Sequence, residues 1–122
     1  MHIATIPGNL SRMMEQNEFD VSQAKFGPAQ PKDMAEIHST FEQSVRSAEG
    51  YLSGLTEKLA SDPWSFTFQG KPIFTKPRVS VIRSIMLNHW YHHRGQLSVY
   101  LRLLEVPVPV IYGRSADENP FG

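Results

Sequence analysis

Residues 88–97 read NHWYHHRGQL and place His89, His92 and His93, three of the five histidines in the chain, within five positions. Imidazole can ligate a metal, shuttle a proton or sense pH, so the chemistry depends on which rings share a face. At about 100° per residue on a helix, an apolar stripe forms from Ile82, Ile85, Met86, Leu97, Tyr100 and Leu104. His89 and His93 fall within roughly 20° of its centre, and His92 lies about 80° away. The triplet is therefore an inward i, i+4 pair with one lateral neighbour. Cβ atoms one turn apart stand about 5 to 6 Å from each other, close enough for both rings to hold one metal. The competing reading is a pair of hydrogen-bonded core histidines with no metal. A further one makes the histidines a pH sensor, destabilising the fold when protonated below about pH 6.

Trp90 stands where the zinc-protease motif carries its catalytic Glu, which disfavours that mechanism. A third ligand must come from another helix, and the candidates are His2 and His38. His2 shares a face with Ile6 and Met13, whereas His38 lies about 100° around its helix from Ile37. His2 is favoured, and His38 is expected in solvent. Three imidazoles leave open coordination positions, as in catalytic rather than structural sites. Imidazole suits zinc, nickel, iron or copper.

Composition narrows the function classes. With 122 residues, 40% of them hydrophobic, the chain fits one domain with a core of its own. Twelve Lys and Arg balance twelve Asp and Glu, and no basic run is interleaved with aromatics, so nucleic acid is not an expected partner. The absence of cysteine removes disulfides, thiolate ligands and cysteine nucleophiles together. No apolar run approaches the roughly 20 residues that span a bilayer, and the first residues lack the order of a signal peptide. A cytoplasmic protein without membrane contact is expected.

Three helical runs must position these histidines. The first, roughly residues 1–16, has His2, Ile6, Leu10 and Met13 on one face, with a kink expected at Pro7 and Gly8. NEFDVSQAKFGPAQPKD then reads as a long loop. The second run opens on Asp33 as a cap, with Glu36 completing a capping box. Its stripe is Ile37, Phe41, Val45, Ala48, Leu52, Leu55 and Leu59, which predicts one long amphipathic helix. Trp64, Phe66 and Phe68 alternate with polar residues before QGKP, which predicts a short hairpin or flap, more simply a cap on one end of the domain than a cover over the site. Pro77 suits the first turn of a last helix running to about Glu105, and the Pro- and Gly-rich tail cannot continue it. Arg114, Asp117 and Glu118 in that tail read as solvated loop charges, with a carboxylate as general base the sharper alternative.

The segment HWYHHRGQLSVYLRLLEVPVP, followed by YGRSADE, resembles the carboxy-terminal signature of the DinB/YfiT-like family. The likeness extends back through Pro77-Arg78, the long middle helix and HIATIPG near the start. It implies an all-α, up-and-down four-helix bundle and a single domain over residues 1–122. In this family one helix supplies one histidine and the last helix supplies two at i, i+4. Carried over by position, the metal ligands are His2, His89 and His93. The family has a helix and part of another before the position of His2, so the resemblance also implies a bundle lacking its first helix, with apolar surface left uncovered.

The implied cofactor is a divalent metal (zinc, nickel, iron or manganese), joined in the thiol-dependent members by a low-molecular-weight thiol. The implied activities are metal-dependent S-transfer or isomerisation, and hydrolysis, on a small-molecule substrate. By their place on the helix Tyr100 and Gln96 are available to orient it, although a buried Tyr bonded to backbone and a polar helix flank is the simpler reading of the two. A homodimer is the expected assembly. The non-enzymatic alternative is a metal-binding or dimerising bundle without turnover.

Overall fold

The computed structural model describes residues 1–24 and 30–122. The chain divides into two compact units, residues 1–90 and 91–122.

The first unit opens on α1 (His2–Met14), which packs against α2 (Met34–Ser53). The contact is made by small residues. Gly8 sits so close to α2 that a Cβ there would lie 2.9 Å from the Cα of Ser44. The backbone N–H of Gly8 donates to Ser44 Oγ at 2.8 Å, a buried bond beside Pro7, which has no N–H to give. Ala4, Ser11, Ser44 and Ala48 complete the buried faces. The expected face of His2, Ile6, Leu10 and Met13 is thus only partly the buried one: Ile6 is buried, Leu10 and Met13 are half-buried, and His2 is exposed. Close approach of two backbones rewards small side chains, which a hydrophobic periodicity does not register.

Asp33 caps α2 as expected, accepting from the Glu36 N–H at 2.8 Å. Glu36 reaches back to the N–H of Lys32 at 2.6 Å, one residue beyond the usual box. The helix is shorter than its stripe predicts. Gly54 ends it, and Thr56 starts a separate α3 (Glu57–Ser61) by accepting from the Leu59 N–H.

The predicted hairpin is present as β2 (Pro63–Phe68) and β3 (Lys71–Pro77), antiparallel. Gln69 and Gly70 both have positive φ, 50° and 72°, the left-handed pair that a two-residue hairpin turn needs. A register shift between Phe66 and Thr67 interrupts the expected alternation. Trp64 is buried and Phe66 half-buried, but beyond the bulge Thr67 turns inward and Phe68 outward.

A third strand corrects the expected fold class. β1 (Glu18–Asp20) pairs in parallel with β2, so that Phe19 faces Phe66 and Asp20 faces Thr67, and the sheet order is β1-β2-β3. The molecule is therefore mixed rather than an all-α, up-and-down bundle. Part of the segment expected as loop forms β1 and a turn of 3₁₀ helix at Val21–Gln23, while residues 25–29 lie outside the described residues. Asp20 ties this strand to the hairpin: its carboxylate accepts from the N–H groups of Ser22, Gln69 and Gly70. The Ser22 hydroxyl also donates to it at 2.6 Å, and this bond foremost, with those amides, lowers its pKa from 3.8 to about 2.

The last helical run is broken into α4 (Arg78–Val81), a π-helical stretch over Ile82–Leu87, and α5 (Asn88–Leu103). Pro77 ends β3 and precedes the helix rather than lying in its first turn. Arg78 is 2% exposed. Its guanidinium donates to the carbonyls of Met14 and Gln16 and to Asn17 Oδ1, at 3.4, 3.0 and 2.8 Å. It thereby satisfies the free carbonyl end of α1, where the helix dipole favours a cation. Met14, Trp64, Val81, Ile82 and Met86 form the core, with Phe19, Phe66 and Phe74 packed on its edge. Burying each large apolar side chain contributes about 1.5–3 kcal/mol.

The second unit holds the rest of α5 and the tail. Glu105, at φ 56°, ends the helix, and the Val106 N–H returns to the carbonyl of Leu101 at 2.9 Å. Asp117 pairs with Arg102 at 2.5 Å and accepts from the Val108 N–H, contacts that hold its pKa below the usual carboxylate range. Glu118 accepts from the Val110 N–H. Arg94 lies over the rings of Tyr91 and Tyr112, 5.0 and 4.9 Å from their centroids.

Candidate metal centre

The two ends of the first unit bring the histidines together. His2 is the first residue of α1 and His89 the second residue of α5, which begins as the π-helical stretch ends. That stretch is closed by an i→i+5 bond from the Asn88 N–H to the carbonyl of Arg83. Because a π turn takes more residues than an α turn, it re-phases every side chain after it. Such insertions recur at functional sites.

The Nε2 atoms of His2 and His89 are 3.5 Å apart, and their ring centroids are 5.3 Å apart at an interplanar angle of 58°. Two nitrogens that each lie about 2.1 Å from a common tetrahedral metal are separated by roughly 3.4 Å. The His2–His89 spacing matches. His93 follows one turn after His89 on the same unbroken helix, so helix geometry alone sets its position relative to His89. One nitrogen from each of His2, His89 and His93 lies within 4.8 Å of the others, a group able to hold a metal ion. His2 is exposed and the other two are half-buried, which leaves a path for a ligand from solvent. A three-nitrogen set without thiolate fits a borderline divalent cation with open coordination positions.

The remaining sequence candidates lie outside this group. His92 is exposed and stands edge-on to His93, with ring centroids 5.0 Å apart. His38 is exposed, as expected. Tyr100 is 60% exposed, so the structure does not bury it as an inward substrate contact. Gln96 is engaged with a histidine, its Oε1 lying 2.7 Å from Nδ1 of His93. Asp117 and Glu118 are committed to tail amides rather than standing ready as bases.

Two features escaped the sequence reading. The π-helical stretch has no Pro or Gly to announce it. The Gln96–His93 bond was legible in principle, because residues three apart on a helix are neighbours.

No helix among the described residues is long and apolar enough to cross a membrane. Among known proteins, the model of the DinB family matches residues 2–119. No curated protein and no solved structure matches the chain.

Proposed function

Because the chain belongs to the DinB family, we propose that it is a metal-dependent enzyme that binds one divalent cation through His2, His89 and His93. The observation that carries this is the meeting of three imidazole nitrogens within 4.8 Å, from two helices far apart in sequence. A divalent metal held by these three residues would supply Lewis acidity able to activate a water or a thiol as nucleophile near neutral pH. The chain's own contribution is to present three imidazole donors, His2 and His89 in the first turns of α1 and α5 and His93 one turn further along α5, with His2 exposed to solvent.

The chemistry we assign is thiol-dependent S-transfer or isomerisation, or hydrolysis, with a low-molecular-weight thiol and an electrophilic small molecule as reactants. The absence of cysteine supports an external thiol over a protein nucleophile of that kind.

Purified protein loaded with Zn²⁺ and dialysed should retain about one equivalent per chain, because three imidazoles form one site. His89→Ala with His93→Ala should abolish retention, and His92→Ala and His38→Ala should keep it. Unchanged metal content in the double variant would sink the assignment. Turnover of a model electrophile that requires both metal and added thiol separates the transferase from the hydrolase.

The second reading is a metal-binding protein that self-associates without turnover. It is favoured by the apolar side chains exposed at the end of α5 and just beyond it, Leu103 and Leu104 being 74% and 73% exposed. Light scattering would show a homodimer that Leu103→Ser with Leu104→Ser converts to monomer.

A further inference from the structure

A histidine ligates a metal through a nitrogen that carries a lone pair, and its other nitrogen must then hold the proton. In water the imidazole side chain favours the proton on Nε2, which would leave only Nδ1 as donor. The chain has to select the opposite tautomer wherever Nε2 is to be the ligand.

His93 is placed to be selected in this way. Its Nδ1 lies 2.7 Å from Oε1 of Gln96, three residues on along α5. A carbonyl oxygen only accepts, so the bond requires a proton on Nδ1 and leaves the lone pair on Nε2. We infer that Gln96 is a positioning residue for His93, holding it in the Nδ1–H tautomer and fixing the ring so that Nε2 is the donor. This rests on the metal-binding reading above for its purpose, but not for its geometry.

The partner is chosen by chemistry as well as by place. Gln96 is uncharged, so it orients the ring without adding a negative charge beside a cation. It lies on the exposed side of α5, where its other amide edge is free to meet water. Partners of this sort are what sharpen metal sites, and losing one typically weakens metal binding by about 10- to 100-fold. An amide turned by half a rotation would present its NH₂ to Nδ1 and impose the opposite tautomer, which makes the tautomer itself the deciding observable.

The experiment has two arms on the full chain. In the metal-free protein at pH 8, ¹⁵N shifts of the imidazole nitrogens report the His93 tautomer. The wild type should show Nδ1–H, Gln96→Glu should keep it because a carboxylate also accepts, and Gln96→Leu should lose it. In the second arm, Zn²⁺ affinity measured by competition with a chromophoric chelator should fall about 10- to 100-fold in Gln96→Leu, with the melting temperature unchanged because the residue is exposed. Nε2–H in the wild type, or the same tautomer in Gln96→Leu, overturns the inference. So does Zn²⁺ affinity in Gln96→Leu equal to that of a zinc-binding wild type. Should the wild type bind no Zn²⁺ while the tautomer responds to Gln96 as described, the metal reading fails and the positioning of His93 stands.

Discussion

The last helical run starts in a core and ends in water. Ile82 and Met86 are 6% and 4% exposed, whereas Tyr100 and Leu104, on the same stripe by sequence, are 60% and 73% exposed. All four fall on one apolar stripe of the sequence, so periodicity does not separate them. What separates them is company. Ile82 and Met86 meet Met14, Trp64 and Val81. An apolar stripe states a capacity to be buried, and only a partner surface turns it into stability.

That contrast can be broken most forcefully at Met86. Met86→Ala removes a buried side chain from the core and should cost about 2–5 kcal/mol, read as a lower midpoint in urea. Leu104→Ala, a deletion of similar size, should change the midpoint by less than about 0.5 kcal/mol. Equal effects would show that Leu104 is covered in solution.

A smaller loss tests the other way a core can be made, by close approach rather than by bulk. Gly8→Ala adds one methyl group against the Ser44 backbone, 2.9 Å away. Since α2 must shift to admit it, about 1–3 kcal/mol of destabilisation is expected. Gly95→Ala is the control, because a Cβ there meets nothing within 4 Å, and it should be neutral or slightly stabilising.

The smallest effect concerns the sheet edge, and it depends on pH. Asp20 has its pKa lowered from 3.8 to about 2 in the folded chain. Its contribution is therefore fully present above the unfolded value and is lost as pH falls from about 4 towards 2. Asp20→Asn should be less stable than wild type at pH 6, and the gap should narrow through that window. A gap independent of pH would mean that the carboxylate charge is irrelevant to holding the hairpin turn.

Much of the local structure was legible. Asp33 and Glu36 announce the start of α2, and the alternation of Trp64 and Phe66 before Gln69-Gly70 announces the hairpin, because caps and two-residue turns are set by neighbours in sequence. β1 was not legible. Three residues offer no periodicity, and their partners, Ser65 to Thr67, lie far along the chain. The bulge that turns Phe68 outward and the π-helical stretch before His89 carry no residue pattern that announces them either.

The candidate site divides along the same line. Residue type and spacing alone determine that His89 and His93 share a helix face, because four residues make about one turn. The proximity of His2 is decided by the tertiary structure, since nothing local links residue 2 to residue 89. Their Nε2 atoms stand 3.5 Å apart because the chain brings α1 and the end of the π-helical stretch into the same compact unit. Which nitrogen of each ring faces the other two is an outcome of packing and hydrogen bonding in three dimensions, and no periodicity encodes it.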